Sequence, residues 1–134
     1  MRAERLNPPG LAPPEEPYVH AVRARDTLYI AGQVAFDEHN QVVGAGDPRA
    51  QIEQCWRNVA RVLRSQGGSL HDVVKIVCYF KDIRHFPIEL DVRAELFGAG
   101  PFPVATVVQV ANLGLDSLLV EIDATAVLTQ PQKD

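Results

Sequence analysis

Eight consecutive residues, Val73-Val74-Lys75-Ile76-Val77-Cys78-Tyr79-Phe80, are β-prone and, Lys75 aside, apolar on both faces. Strand side chains alternate between the two faces of a sheet, so such a run belongs inside a sheet, flanked by strands and covered by other layers. Flanking strands are predicted at 18–23 and 27–33, joined as a hairpin through Ala24-Arg25-Asp26, then at 41–43, 104–111 and 118–128.

Two helices supply the cover. Asp47-Pro48 gives a carboxylate N-cap with proline at the first helical position. Ile52, Cys55, Trp56, Val59, Val62 and Leu63 follow at helical spacing, with Glu53, Arg57, Arg61 and Arg64 on the solvated side, until Gly67-Gly68. Ser69 and Asp72 read as a short capping box before the central strand. Pro87 begins a second helix that runs to Phe97 and stops at Gly98, with Leu90, Ala94 and Phe97 as its inward stripe. The order is β-β-β-α-β-α-β-β, an α+β fold with both helices on one face of the sheet. The other face, including Val107, Leu119, Val127 and half of the 73–80 run, would stay uncovered, a patch above the few hundred Å² a monomer tolerates. The sequence therefore implies an oligomer, with any cleft between subunits.

Residues 1–16 hold Pro8, Pro9, Pro13 and Pro14 and lack an apolar period, so they read as an extended arm before a domain at 17–128 and a tail at 129–134. No apolar run approaches the ~18 to 20 residues of a membrane span, and no signal-like apolar segment opens the chain, so the expectation is a soluble, cytoplasmic protein with no membrane partner. The net charge of −4 comes from 13 basic and 17 acidic residues. The basic residues are scattered, which argues against a nucleic-acid partner, because phosphate binding depends on clustered Lys and Arg. Cys55 and Cys78 sit within apolar periodic segments and read as buried reduced thiols.

The chain has no Cys-x-x-Cys, no His-x-x-x-His and no His-Glu-x-x-His, and His20, His39, His71 and His85 fall in separate segments, so no metal site is expected. A P-loop and a nucleophile elbow are absent, and the pairs Gly44/Gly46 and Gly98/Gly100 read as turns rather than phosphate loops. The informative stretch is Pro101 to Ala111. If 104–111 and 118–128 form one hairpin, the row Ala105, Val107, Gln109 faces the mixed row Leu119, Glu121, Asp123, Thr125, Val127. Carboxylates in mid-strand cost free energy unless they meet partners or a wet cleft, so these rows are the predicted walls of a site. Glu121 and Asp123, with Cα atoms about 6.6 Å apart, suit an acid and base pair, and equally an exposed or intersubunit acidic strand. Tyr18 either offers its phenol to the cleft or packs. Gly32 interrupts its strand and permits a bulge or the close approach of a ligand.

Glu16-Pro17-Tyr18-Val19-His20-Ala21-Val22, Leu28-Tyr29-Ile30-Ala31-Gly32-Gln33, the Asp47 to Gly68 helix, Val73-Val74-Lys75, Asp82-Ile83, Phe97-Gly98, Pro101 to Ala111 and Val120-Glu121-Ile122-Asp123-Ala124 together resemble the RidA/YjgF/L-PSP family, over almost all of the chain from Pro17 to Val127. The resemblance implies a chorismate-mutase-like (YjgF-like) fold, a homotrimer with small-molecule sites in intersubunit clefts, and no metal or cofactor. Active members hydrolyse reactive enamines and imines to ammonia and a 2-oxo acid. Glu121 matches the family's catalytic glutamate, thought to act through water. Tyr18, Gly32, Ala105, Thr106 and Val107 fall at substrate-binding positions.

At one of these positions the chain departs. The family pattern is Pro-Ala-Arg, a small residue and often Cys, with the arginine holding the substrate carboxylate. Here Pro103-Val104-Ala105-Thr106-Val107 puts Ala105 in place of that arginine and Val107 in place of the cysteine. Losing a buried bidentate pair costs ~3 to 5 kcal/mol, roughly two to four decades in binding. The leading reading is a family member that binds a small metabolite in an apolar cleft, a cofactor-independent hydrolase without the standard 2-imino acid deaminase activity. Alternatives are a deaminase that recruits another cation (Arg23, Arg84 or Arg93) and a non-catalytic trimeric binding or chaperone-like module. The acidic balance disfavours the endoribonuclease label sometimes given to the family.

Overall fold

The 73–80 run lies in the interior of a six-stranded sheet. In the computed structural model, which describes residues 2–129, the elements are β1 (Ala3–Leu6), β2 (Ala21–Ala24), β3 (Thr27–Gln33), α1 (Pro48–Ser65), β4 (Val73–Phe80), α2 (Phe86–Phe97), β5 (Val104–Gln109) and β6 (Val120–Val127). The strand order is β1-β2-β3-β6-β4-β5. The fold is α+β, with a mixed sheet and two helices. Of the 129–134 tail, 130–134 lie outside the described residues.

The element order matches the expectation, but its members differ. The predicted strand at 41–43 contracts to one bridge between Phe36 and Val42. Asp37 uses up the hydrogen bonds there: its backbone N donates to Gln41 O at 3.0 Å, and its Oδ1 accepts from the N atoms of His39 and Gln41 at 2.8 and 3.0 Å. A strand instead arises within residues 1–16, where β1 lies antiparallel to β2 with Arg5 opposite Val22.

The predicted 104–111/118–128 hairpin is corrected. β6 is inserted antiparallel between β3 and β4, and β5 runs parallel to β4 at the sheet edge, Ile76 opposite Ala105. The crossover helix α2 returns the chain to the end of the sheet from which β4 began, so β5 runs parallel to β4; β6 has β3 on one side and β4 on the other, which leaves it no free edge for β5.

One face of the sheet carries the core. Ile76, Cys78 and Phe80 of β4 and Val120, Ile122, Ala124 and Ala126 of β6 are buried with the α1 stripe predicted from spacing. Trp56 is part of it and meets Phe97 edge-on, ring centroids 5.4 Å apart. Both cysteines are buried and free. Of the stripe assigned to α2 only Phe97 is buried; Leu90 is 43% exposed and Ala94 is exposed too, while Glu89 and Val92 turn inward. Glu89 is tolerated inside because Arg93 pairs with it through both guanidinium arms and Trp56 Nε1 donates to its Oε2 at 3.2 Å.

Among the described residues no helix packs on the other face. Tyr29 (53% exposed), Val104 (68%), Val108 and Val127 stand open there. Val107, predicted for this open patch, packs instead against the edge of the helix-side core. Among the described residues no helix is long and apolar enough to cross a membrane.

Candidate active site

Glu121 projects from β6 on the open face, opposite Tyr79 of β4. Beside it, β3 bulges between Ile30 and Gln33, bringing Gly32 against the carboxylate. A Cβ at residue 32 would overlap Oε2 of Glu121 and lie 2.7 Å from its Cδ. Any side chain at residue 32 would have to push the Glu121 arm aside, so the constraint here is this close approach rather than a left-handed backbone.

Neighbouring carboxylates are treated differently. Tyr79 Oη donates to Asp123 Oδ2 at 3.0 Å, whereas no hydrogen bond or ion pair engages Glu121 among the described residues. Burial, and then the charge of Asp123, push the Glu121 carboxyl above its ordinary range. The sequence left open whether the two acids form a pair or an exposed row. The structure divides them into one held by a phenol and one left unpaired.

Glu121 and Gly32 form part of a cleft of about 360 Å³. Its wall is the segment between β1 and β2, which presents Leu11, Pro14, Glu15, Glu16 and Tyr18. Leu11 inserts into the core, Gly10 O accepts from Arg61 Nη1, and Ala12 O accepts from His20 Nε2 at 2.7 Å. A carbonyl only accepts, so His20 carries its proton on Nε2. Its Nδ1 then accepts from Gln33 Nε2 at 3.2 Å, and Gln33 also donates to Ala31 O at 3.1 Å, tying the wall to the bulge. Tyr18 is half-exposed at the rim. Its phenol is pushed up by burial and by the charges of Glu16 and Glu121.

Buried amides of α1 hold the remaining loops. Asn58 Nδ2 donates to Val34 O and Phe36 O at 3.1 and 3.0 Å, and its Oδ1 accepts from Gln54 Nε2 at 2.9 Å. Gln51 clamps the approach to β6, donating to Ser117 O and accepting from Leu119 N, both at 2.8 Å. Sequence reasoning missed Gln33, His20 and Asn58. The available signal was three amides, Gln51, Gln54 and Asn58, on the stripe that also carries Ile52, Cys55 and Val59.

Of the predicted site residues, the structure gathers Tyr18, Gly32 and Glu121. It does not bring the β5 residues to them within one chain. Thr106, opposite Val77, shares the open face with Glu121 but lies two strands away. Ala105, opposite Ile76, and Val107, opposite Cys78, lie on the helix side. The two rows predicted as facing walls therefore occupy opposite faces of one sheet. The alternative cations are committed elsewhere. Arg23 is buried and bonds Arg25 O and Gln66 Oε1, Arg84 chelates Asp82, Arg93 pairs with Glu89, and none of them lines the cleft.

The chain matches the family model described as Endoribonuclease L-PSP over residues 10–128. It is 37% identical over 113 residues to a RutC family protein of Pyrococcus horikoshii, covering 84% of this chain and 88% of that one. It is 32% identical over 129 residues to the 2-iminobutanoate/2-iminopropanoate deaminase of Dermatophagoides farinae, covering 96% and 99%. The crystal structure of yeast Mmf1 superposes with a TM-score of 0.88 at 26% identity, over 96% of this chain and all of that one. With the helix-side core, the open sheet face and the Gly32–Glu121 contact in place, this chain belongs to the RidA/YjgF/L-PSP family.

Proposed function

We propose that this protein is a cofactor-independent hydrolase of small imines and their enamine tautomers, without the standard 2-imino acid deaminase activity. The observation that carries the reading is the Glu121 carboxylate, held half-buried and unpaired against Gly32 in a cleft of metabolite size. A relative named as an imine deaminase supports the reaction class. Ala105 in place of the family's arginine is the reason to exclude the standard substrates.

The reacting species is an iminium, C=NH₂⁺. Water attacks its carbon while Glu121 takes one water proton, and the C=N π electrons pass to nitrogen, giving a neutral carbinolamine. Glu121 then returns that proton to the amine nitrogen. The C–N bond breaks as C=O forms, and ammonia leaves with the hydroxyl proton as ammonium. The balance is iminium plus water to carbonyl plus ammonium, and the step needs no redox partner. A carboxyl pushed above its ordinary range suits both halves of this cycle.

The site is completed in a homotrimer, in which a neighbouring copy lays its β5 edge across the open face and brings Ala105, Thr106 and Val107 toward the cleft. The exposed Tyr29, Val104, Val108 and Val127 supply the apolar surface for this contact. Two buried free thiols fit the reducing cytoplasm.

The test is ammonia release from a panel of imines generated in situ, with and without carboxylates. Turnover of at least one imine above the rate in buffer is the expected result. Saturable binding without turnover of any imine would replace the hydrolase with a non-catalytic binding module.

A further inference from the structure

The cleft is one-sided in charge. Glu15, Glu16, Asp37 and Glu121 line it, and among the described residues no lysine or arginine does. Three separate elements contribute these acids: the wall before β2, the turn after β3, and β6. Asp37 is kept ionised by the backbone donors of Gln41 and His39, which hold its carboxyl below the ordinary range. Glu16 and Glu121 both act on the Tyr18 phenol, so their fields overlap at the mouth. His20, also on the lining, is engaged at Nε2 by Ala12 O and at Nδ1 by the Gln33 amide. The strand that a neighbouring copy would bring, Val104–Gln109, has no charged residue.

Like charges that converge on an anion repel it, while a cation gains from each, from the exposed Glu15 and Glu16 at the mouth as from the half-buried Glu121. Resting on the hydrolase reading above, we propose that the cleft selects a substrate whose second functional group is cationic, an aminoalkyl imine rather than a 2-imino acid, with Glu15 and Glu16 as the discriminating residues. The family's arginine is then not merely missing. The charge preference of the site is inverted, and the wall between β1 and β2 carries the inversion.

The test separates binding from turnover. Calorimetric titration of the full-length protein at low salt with 1,4-diaminobutane and with succinate, a dication and a dianion of the same chain length, reads the charge preference alone. The expected result is saturable binding of the diamine, at least about tenfold tighter than succinate. In the Glu15→Gln/Glu16→Gln double variant the diamine should weaken by up to about tenfold, as two partly exposed pairs allow. Diamine binding that is absent, no tighter than succinate, or unchanged in the double variant overturns the proposal. Turnover of the monoimine made from the same diamine by an amine oxidase then reports on the hydrolase separately. Selective diamine binding with no turnover would leave the charge preference standing and remove the hydrolase.

Discussion

Glu121 occupies the space that a side chain at residue 32 would need: a Cβ there would overlap Oε2 and lie 2.7 and 2.9 Å from Cδ and Cγ. The bulge in β3 and the carboxylate of β6 are one construction, and each substitution at one is read at the other.

Gly32→Ala should therefore displace Glu121 without breaking the sheet. Overpacking of this kind costs about 1 to 3 kcal/mol. A shift of ~1 Å at a reacting group costs about a hundredfold in rate. Imine turnover should fall by roughly that factor while circular dichroism stays unchanged. Retained activity would show that Glu121 need not be held by Gly32.

A second prediction concerns the buried charge in α2. Glu89→Ala leaves Arg93, which is 14% exposed, without its partner and removes the acceptor of Trp56 Nε1. Breaking a buried pair costs about 3 to 5 kcal/mol. Glu89→Gln keeps the Trp56 acceptor and should cost less. Urea denaturation of the two variants checks the order, and equal midpoints would contradict it.

Glu89 also shows where the sequence stopped being legible. Leu90, Ala94 and Phe97 have helical spacing and look like the inward stripe, and only the ion pair and the indole donor explain why Glu89 turns inward instead. The central strand, the α1 stripe, the Asp47 cap and the unpaired sheet face could all be read, because each depends on local periodicity. Strand pairing could not. The crossover through α2 sets the direction of β5 but not its neighbour, and only the insertion of β6 between β3 and β4 puts Ala105 opposite Ile76 on the helix side. Tyr18, Gly32 and Glu121, which line one cleft, could be singled out because strand position and family pattern pointed to them. His20 and Gln33 were not, because their roles depend on a backbone carbonyl from the wall, which carries no signal in side-chain type.

The third prediction uses Ala105. Wild-type turnover of 2-iminopropionate should be near background. Because Ala105 faces away from Glu121 in its own chain, Ala105→Arg can add a cation to the cleft only if a neighbouring copy supplies it. A gain in 2-iminopropionate hydrolysis is expected, kept partial by the carboxylates that line the cleft and by misplacement of the guanidinium beside Val107. Light scattering on the same sample should give a trimer. A stable monomer at micromolar concentration, or no gain in an intact trimer, would contradict the proposed assembly of the site.

The fourth prediction is a pH dependence of stability. Burial raises the folded-state pKa of Glu121 above its unfolded value, so the native state favours the protonated carboxyl. That contribution is present at pH below the unfolded pKa and is lost as pH rises through the folded one. Glu121→Gln has no charge to bury, so it should be more stable than the wild type at neutral pH. The difference should close as pH falls below about 4, near the ordinary glutamate value. Melts at pH 7.5 and 3.5 decide this. A variant that is less stable at neutral pH would assign the carboxylate to structure.

The same substitution addresses the chemistry most directly. Ammonia release from an imine that the wild type hydrolyses should be compared with that of Glu121→Gln at equal trimer concentration. The amide keeps the shape against Gly32 but can neither take nor return a proton, so the account predicts a loss of at least about a hundredfold, the usual contribution of a positioned acid or base. Equal turnover by a correctly assembled Glu121→Gln trimer would contradict it.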